Sequence, residues 1–140
     1  MAIKKQEFYE GAALHLLARS GLGACIRYNA PFFVLDDRVW VYLKYSTKGR
    51  SPWSFSFASS EVTRLKIQRS ESETMIGLIC GADGVVTVSY EEFSTIVTST
   101  NKNFCIACYR RHGEHYGVSG PDGTLEGKVA PSRWSRILER

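Results

Sequence analysis

At 140 residues, 44% of them hydrophobic, 12% aromatic and 23% charged, the chain is large enough to bury one core without cross-links and too apolar to stay disordered. Its net charge of +4 permits contact with phosphates without demanding it. No run approaches the roughly 18 apolar residues of a membrane span, and the start MAIKKQEFYEGAA lacks the apolar stretch of a signal peptide, so a single cytoplasmic domain over residues 1–140, with no membrane partner, is expected.

Lys4 to Arg19 sets Phe8, Ala12, Leu16 and Arg19 on one helical row with Ala13, Leu14 and Leu17 beside it, which predicts a helix with one buried face. Ser20-Gly21-Leu22-Gly23 should stop it, and Ala24 to Tyr28 reads as a first strand. Phe32 to Leu35 is a second strand that turns at Asp36-Asp37 into Arg38 to Tyr45. The run VWVYL is apolar or aromatic on both faces, which places this strand in the centre of a sheet. Ser46 to Pro52 is a polar loop. Trp53 to Phe57, WSFSF, alternates strictly, as a strand with one wet face does.

A helix follows over Ser60 to Gln68, opened by a serine cap and Glu61 in its first turn. Met75 to Cys80 and Val85 to Ser89 are strands around the turn Gly81-Ala82-Asp83-Gly84, and Tyr90 to Thr98 is a short helix. Phe104 to Arg110 and His115 to Val118 form a hairpin, Pro121-Asp122-Gly123 turns into Thr124 to Val129, and Ser132 to Leu138 closes as a helical turn. The succession is that of an α/β domain with a single mixed sheet and additional C-terminal β-hairpins.

The segment from residue 4 to 48 resembles the PD-(D/E)xK nucleases, especially the small members related to Holliday-junction resolvases and restriction endonucleases. That family carries a glutamate on its first helix, a glycine beyond it, Pro-Asp opening one strand and Glu-x-Lys in the next. Here Glu10 precedes Gly21 in YEGAALHLLARSG, Pro31-Phe32 stands in the Pro-Asp place, and Tyr42-Leu43-Lys44 in the Glu-x-Lys place. The resemblance implies a restriction-endonuclease-like core of helix, central hairpin, strand and helix, with Glu10 and Lys44 as remnants of a catalytic set. Phosphodiester hydrolysis in such a site needs carboxylates to hold Mg²⁺ or Mn²⁺. Phe32 cannot ligate and the Tyr42 phenol ligates poorly. Alternation puts Trp40, Tyr42, Lys44 and Ser46 on one face, so Tyr42 shares the lysine's pocket.

Other residues invite other chemistry. Lys44, Lys48, Arg50 and Trp53 resemble a surface that holds a phosphate backbone and stacks a base, which Arg110, Arg111, Arg133, Arg136 and Arg140 would extend. Cys105, Cys108, His112 and His115 have the residue types of a zinc site, but only three residues separate the pairs, and strand geometry points the two thiols apart. Cys25, Cys80, Cys105 and Cys108 are expected as buried free thiols. His15 lacks a nucleophile in local sequence, and neither glycine-rich turn has the lysine-serine pair of a phosphate loop.

The expectation is a catalytically degenerate nuclease-like protein that binds DNA or RNA, or a protein that handles them, and needs no cofactor. One alternative is a Mg²⁺- or Mn²⁺-dependent endonuclease with a relocated site built from Glu7 or Glu10, Asp36 or Asp37, and Lys44. Another is a small protein-binding domain unrelated to nucleases, pairing with a partner or with itself as a homodimer.

Overall fold

The computed structural model describes residues 2–21, 25–98 and 101–139. The first helix, α1 (Lys5–Arg19), opens with the Glu7 side chain accepting the Lys4 amide at 2.7 Å and ends as the Ser20 hydroxyl donates to the Leu17 carbonyl. Gly21 follows at φ +82°. The buried line of this helix is Ala13 and Leu17, flanked by Tyr9 and Leu16. Phe8, expected in the buried row, is 64% exposed. The segment carries apolar residues on adjoining rows, and the small Ala13 lets the helix come close enough for the Trp134 indole to donate to the Ala13 carbonyl at 2.8 Å. Leu22, Gly23 and Ala24, part of the expected stop and first strand, lie outside the described residues.

Strands β1 (Ile26–Asn29), β2 (Phe32–Leu35) and β3 (Val39–Ser46) form an antiparallel meander. Asp36 and Asp37 both sit at φ 52°, the left-handed residues of the three-residue loop Asp36-Asp37-Arg38 that joins Leu35 to Val39. Aspartate tolerates that region because its carboxylate can bond nearby amides, and here Asp36 accepts the Cys25 N–H at 2.8 Å. Asp37 contributes only an exposed pair with Arg27 at 3.1 Å. Replacing Asp37 with glycine is therefore expected to raise stability by about 0.5 kcal/mol in urea denaturation, since relief of the positive φ outweighs an exposed ion pair.

The next elements are β4 (Trp53–Phe57), α2 (Ser59–Arg69), β5 (Glu73–Cys80), β6 (Gly84–Ser89) and α3 (Tyr90–Ile96), followed by β7 (Phe104–Tyr109), β8 (Gly117–Gly120), β9 (Gly123–Thr124) and a 3-10 turn at Pro131–Arg133. The mixed sheet has the order β1-β2-β3-β5-β6, with β5 parallel to β3 and every other pair antiparallel. This corrects the expectation of a single sheet. β4 leaves its neighbours in sequence and pairs with β7, opening a second, antiparallel sheet of order β4-β7-β8-β9. The alternation of WSFSF explains the choice. Trp53, Phe55 and Phe57 are buried while Ser54 and Ser56 face out, a pattern that suits a sheet covering the core from outside.

The layers follow from burial. One apolar cluster fills the space between the mixed sheet and a cover of the second sheet, α2 and α3, and includes Phe55, Phe57, Leu65, Ile76, Leu78, Phe93 and Ile106. The other lies on the opposite face, where α1 and the C-terminal Trp134, Ile137 and Leu138 pack on Val39, Val41, Leu43 and Val85. β3 is thus covered on both faces, as VWVYL required.

Several boundaries differ from expectation. Ala58, not a serine, occupies the N-cap of α2; it offers no side-chain acceptor, and Glu61 reaches back to accept its amide N–H. α3 ends at Ile96 rather than Thr98, where Val97 becomes extended. Thr124 to Val129 is mostly irregular, and Val129 makes only a bridge to Tyr116. Of the thiols, Cys80 and Cys108 are buried but Cys25 and Cys105 are exposed, Cys105 because it lies on the outward face of β7. No helix among the described residues is long and apolar enough to cross a membrane.

Candidate functional site

Lys44 projects from β3 toward α2, on the same side as Trp40 and Tyr42. The register sets Phe32 directly across from Tyr42, with ring centroids 5.7 Å apart, and places Lys44 beside Leu78 of β5. The surroundings are therefore apolar on both flanks. Into this setting α2 brings Glu61, the third residue of its first turn. One carboxylate oxygen accepts the Ala58 amide at 2.8 Å; the other takes the Lys44 ammonium at 2.8 Å and the Tyr42 hydroxyl. The ammonium also donates to the Ser56 carbonyl and lies 4.5 Å from the centre of the Phe57 ring.

This arrangement decides the protonation states. Burial pulls the Glu61 pKa up, but the bonds from Lys44, Tyr42 and the Ala58 amide outweigh it and leave the carboxyl below its ordinary value of 4.5. The helix N-terminus favours the same charge. Burial and the adjoining Glu61 hold the Tyr42 phenol well above its ordinary range, so it stays a neutral donor. The site is a lysine–glutamate–tyrosine network in which the lysine donates to two protein oxygens, one of Glu61 and the Ser56 carbonyl.

The structure separates most of the residues singled out from sequence. Glu10 lines a groove with Leu14, Tyr28 and Phe33 on the α1 face, accepts from Gln6 at 2.9 Å, and has its pKa raised by burial. Lys44 leaves β3 on the other face. Glu7 accepts the Lys4 amide, and Asp36 and Asp37 are used at the hairpin tip by Cys25 and Arg27. The acids of a relocated site do not converge on Lys44. Among the described residues no three His, Cys, Asp or Glu side chains gather as a metal cage, Cys105, Cys108, His112 and His115 included.

The basic and aromatic cluster is divided in the same way. Trp53 is 2% exposed and donates its indole N–H to the Lys48 carbonyl at 2.9 Å, so its ring belongs to the core. Lys48 and Arg50 are exposed on the loop between β3 and β4. Tyr45 stacks on Tyr9 at 4.9 Å on the α1 face. Arg133 and Arg136 pair with Glu92 and Glu139, and Arg140 lies outside the described residues. Arg110 is committed elsewhere: its guanidinium meets Asp83 at 2.8 Å and lies 4.5 Å over the Tyr116 ring, while the Tyr116 hydroxyl donates to the same Asp83 oxygen at 2.5 Å. That network fastens the β5–β6 turn to the second sheet. Nearby, the bond with Cys108 and burial raise the Cys80 thiol far above its usual range, which leaves it a poor nucleophile.

Glu61 is the residue that sequence reasoning missed as part of this site. Its signal was read only as first-turn helix chemistry, and nothing in the spacing from Lys44 shows that a strand and a helix separated by β4 will meet. No protein-family model, curated protein or solved structure matches the chain.

Proposed function

We propose that this chain is a nucleic-acid-binding protein on a restriction-endonuclease-like scaffold whose catalytic position is closed. The observation that carries this reading is the Lys44 ammonium held between Glu61 and the Ser56 carbonyl, beneath Tyr42 and Phe32. A scaffold of this kind is supported by the order of α1, the meander with Lys44 in its third strand, and the α2 crossover to a parallel β5. Positions 32 and 42 bear no carboxylate, so the ligands for two-metal hydrolysis are missing at the places the resemblance assigns them. The net charge of +4 and the exposed Lys48 and Arg50 support a polyanionic partner.

Purified protein incubated with Mg²⁺ or Mn²⁺ and duplex, single-stranded or branched substrates is expected to cleave none of them. Cleavage that disappears in Lys44→Ala would sink the degenerate reading. Binding should weaken by tenfold or more between about 50 and about 200 mM salt, as phosphate contacts require; affinity insensitive to salt counts against it.

A second reading, a metal-dependent endonuclease, draws on Glu61, an acid 2.8 Å from the lysine. It requires Glu61 to release Lys44 and to recruit a further carboxylate. Absence of heat on titrating millimolar Mg²⁺ or Mn²⁺ into the protein would dispose of it.

A further inference from the structure

Beside the closed lysine site, a groove of about 520 Å³ runs between α2 and the β1–β2 turn. Phe32, Trp40 and Ile67 make its apolar surface, and Asn29, Thr63 and Arg64 are among its polar residues. Ile67 is 60% exposed and presents its side chain to this apolar surface. The Trp40 ring meets the edge of Phe32 at 5.7 Å and carries the Arg27 guanidinium 5.9 Å from its centre.

Arg64 is the charged side chain that lines this groove, and Arg27, over Trp40 beside it, is paired with Asp37 at the hairpin tip. Ser60, Thr63, Arg64 and Ile67 lie at helical spacing along the exposed side of α2, and Arg64 has no ion-pair partner among the described residues. No carboxylate lines the groove. Glu61, the acid in this part of the helix, is already occupied by Lys44 and Tyr42. The surface thus combines an aromatic platform, the Arg64 guanidinium and hydroxyl and amide side chains that can bond to base edges.

We propose that this groove binds single-stranded nucleic acid, with a base against Trp40 and Ile67 and an adjoining phosphate met by Arg64. The inference rests on the nucleic-acid reading above and gives that partner a location. An unpaired strand can present a ring face and a free Watson–Crick edge together, whereas a duplex stacks the ring faces and pairs those edges. Guanidinium groups suit phosphate because their planar fork matches its oxygens.

The molecule carries its own reporter. Of its three tryptophans, Trp53 and Trp134 are 2% and 3% exposed, and only Trp40 borders solvent in the groove. The full chain would be titrated with fluorescein-labelled oligo-dT and oligo-U of about 12 nucleotides, and with a duplex of equal length, reading anisotropy and tryptophan emission. Either single strand is expected to bind more tightly than the duplex and to quench emission, the two arms telling DNA from RNA. Arg64→Glu should weaken binding roughly tenfold or more. Trp40→Phe should remove the quench while circular dichroism stays unchanged; if Trp40→Phe fails to fold, the exposed Ile67→Glu takes its place and should weaken binding. Should Arg64→Glu and Ile67→Glu bind like wild type while Lys48→Ala with Arg50→Ala binds poorly, the groove is overturned and the nucleic-acid reading stands. If no oligonucleotide binds the wild type at low salt, both fall.

Discussion

Glu61→Ala is expected to lower the unfolding free energy by about 3 kcal/mol, and Lys44→Ala by a similar amount. Each leaves an uncompensated charge in a setting where the partners' side chains are only 19% and 23% exposed. Loss of Glu61 also frees the Ala58 amide and the Tyr42 hydroxyl, so this variant should be the worse of the two. The double variant Lys44→Met with Glu61→Leu should recover most of the loss, because two apolar side chains match the Phe32, Phe57 and Leu78 surroundings. Urea denaturation of the wild type, Lys44→Met, Glu61→Leu and the double variant gives the coupling; strictly additive effects would mean that the pair is not a unit. The pH dependence has a definite sign. The folded-state pKa of Glu61 lies below its ordinary 4.5, so its contribution is fully present above about pH 4.5 and is lost as pH falls through the lower, folded-state value. Asp83, held below its ordinary 3.8 chiefly by Arg110 and Tyr116 against the pull of burial, acts in the same direction at slightly lower pH. Glu61→Gln should therefore flatten the upper part of the acid-unfolding limb and leave the Asp83 part in place.

Trp134→Ala is expected to cost about 4 kcal/mol, the largest effect of any single truncation on the α1 face. Its ring is 3% exposed, its N–H satisfies the Ala13 carbonyl, and it packs over Gly77 in β5, where a Cβ would stand 2.6 Å from Leu43 and 3.7 Å from the Trp134 ring. The small residues Ala13 and Gly77 thus make the space that the indole fills. Trp134→Phe keeps most of the packing and loses the hydrogen bond, so about 1–2 kcal/mol is expected. Thermal or urea unfolding checks both. A loss below about 1 kcal/mol for Trp134→Ala would show that the C-terminal segment is a loose cover rather than part of the core.

What the chain shows of itself in sequence is what is local. The strict alternation of WSFSF gave the length and wet face of β4, the two-sided apolarity of VWVYL gave a central strand, and Asp36-Asp37 and Gly81-Ala82-Asp83-Gly84 gave the turns, because each pattern is complete within a few residues. The partners of those elements were hidden. β4 could pair on either side, and its choice of β7 depends on Cys105 to Cys108 arriving opposite it. The inward face of α1 was misread at Phe8, since only the proximity of Trp134, 121 residues beyond Ala13, selects one stripe over the next. At the candidate site, the neighbours of Lys44 on its own hairpin were legible from strand period alone, and Tyr42 and Phe32 stand beside it as alternation and register require. Glu61 was not, for it reaches the lysine through the packing of α2, which no spacing rule expresses.

The route from β3 to its parallel neighbour β5 has a kinetic meaning. Parallel neighbours need a crossover, and here that crossover deposits β4 in the other sheet before α2 returns the chain to β5. β4 then waits for β7, so that Trp53 finds Cys108 only after β5, β6 and α3 have been laid down. The mixed sheet has all its strands by Ser89, whereas the second sheet cannot begin to pair until β7 arrives at Phe104. Cutting the chain between α3 and β7 would strand Phe55 and Phe57 with no partner strand, and an N-terminal fragment would expose that apolar ribbon to solvent. Synthesis from the ribosome must pass through that same fragment, which makes WSFSF the stretch most in need of shelter until the last third of the chain emerges.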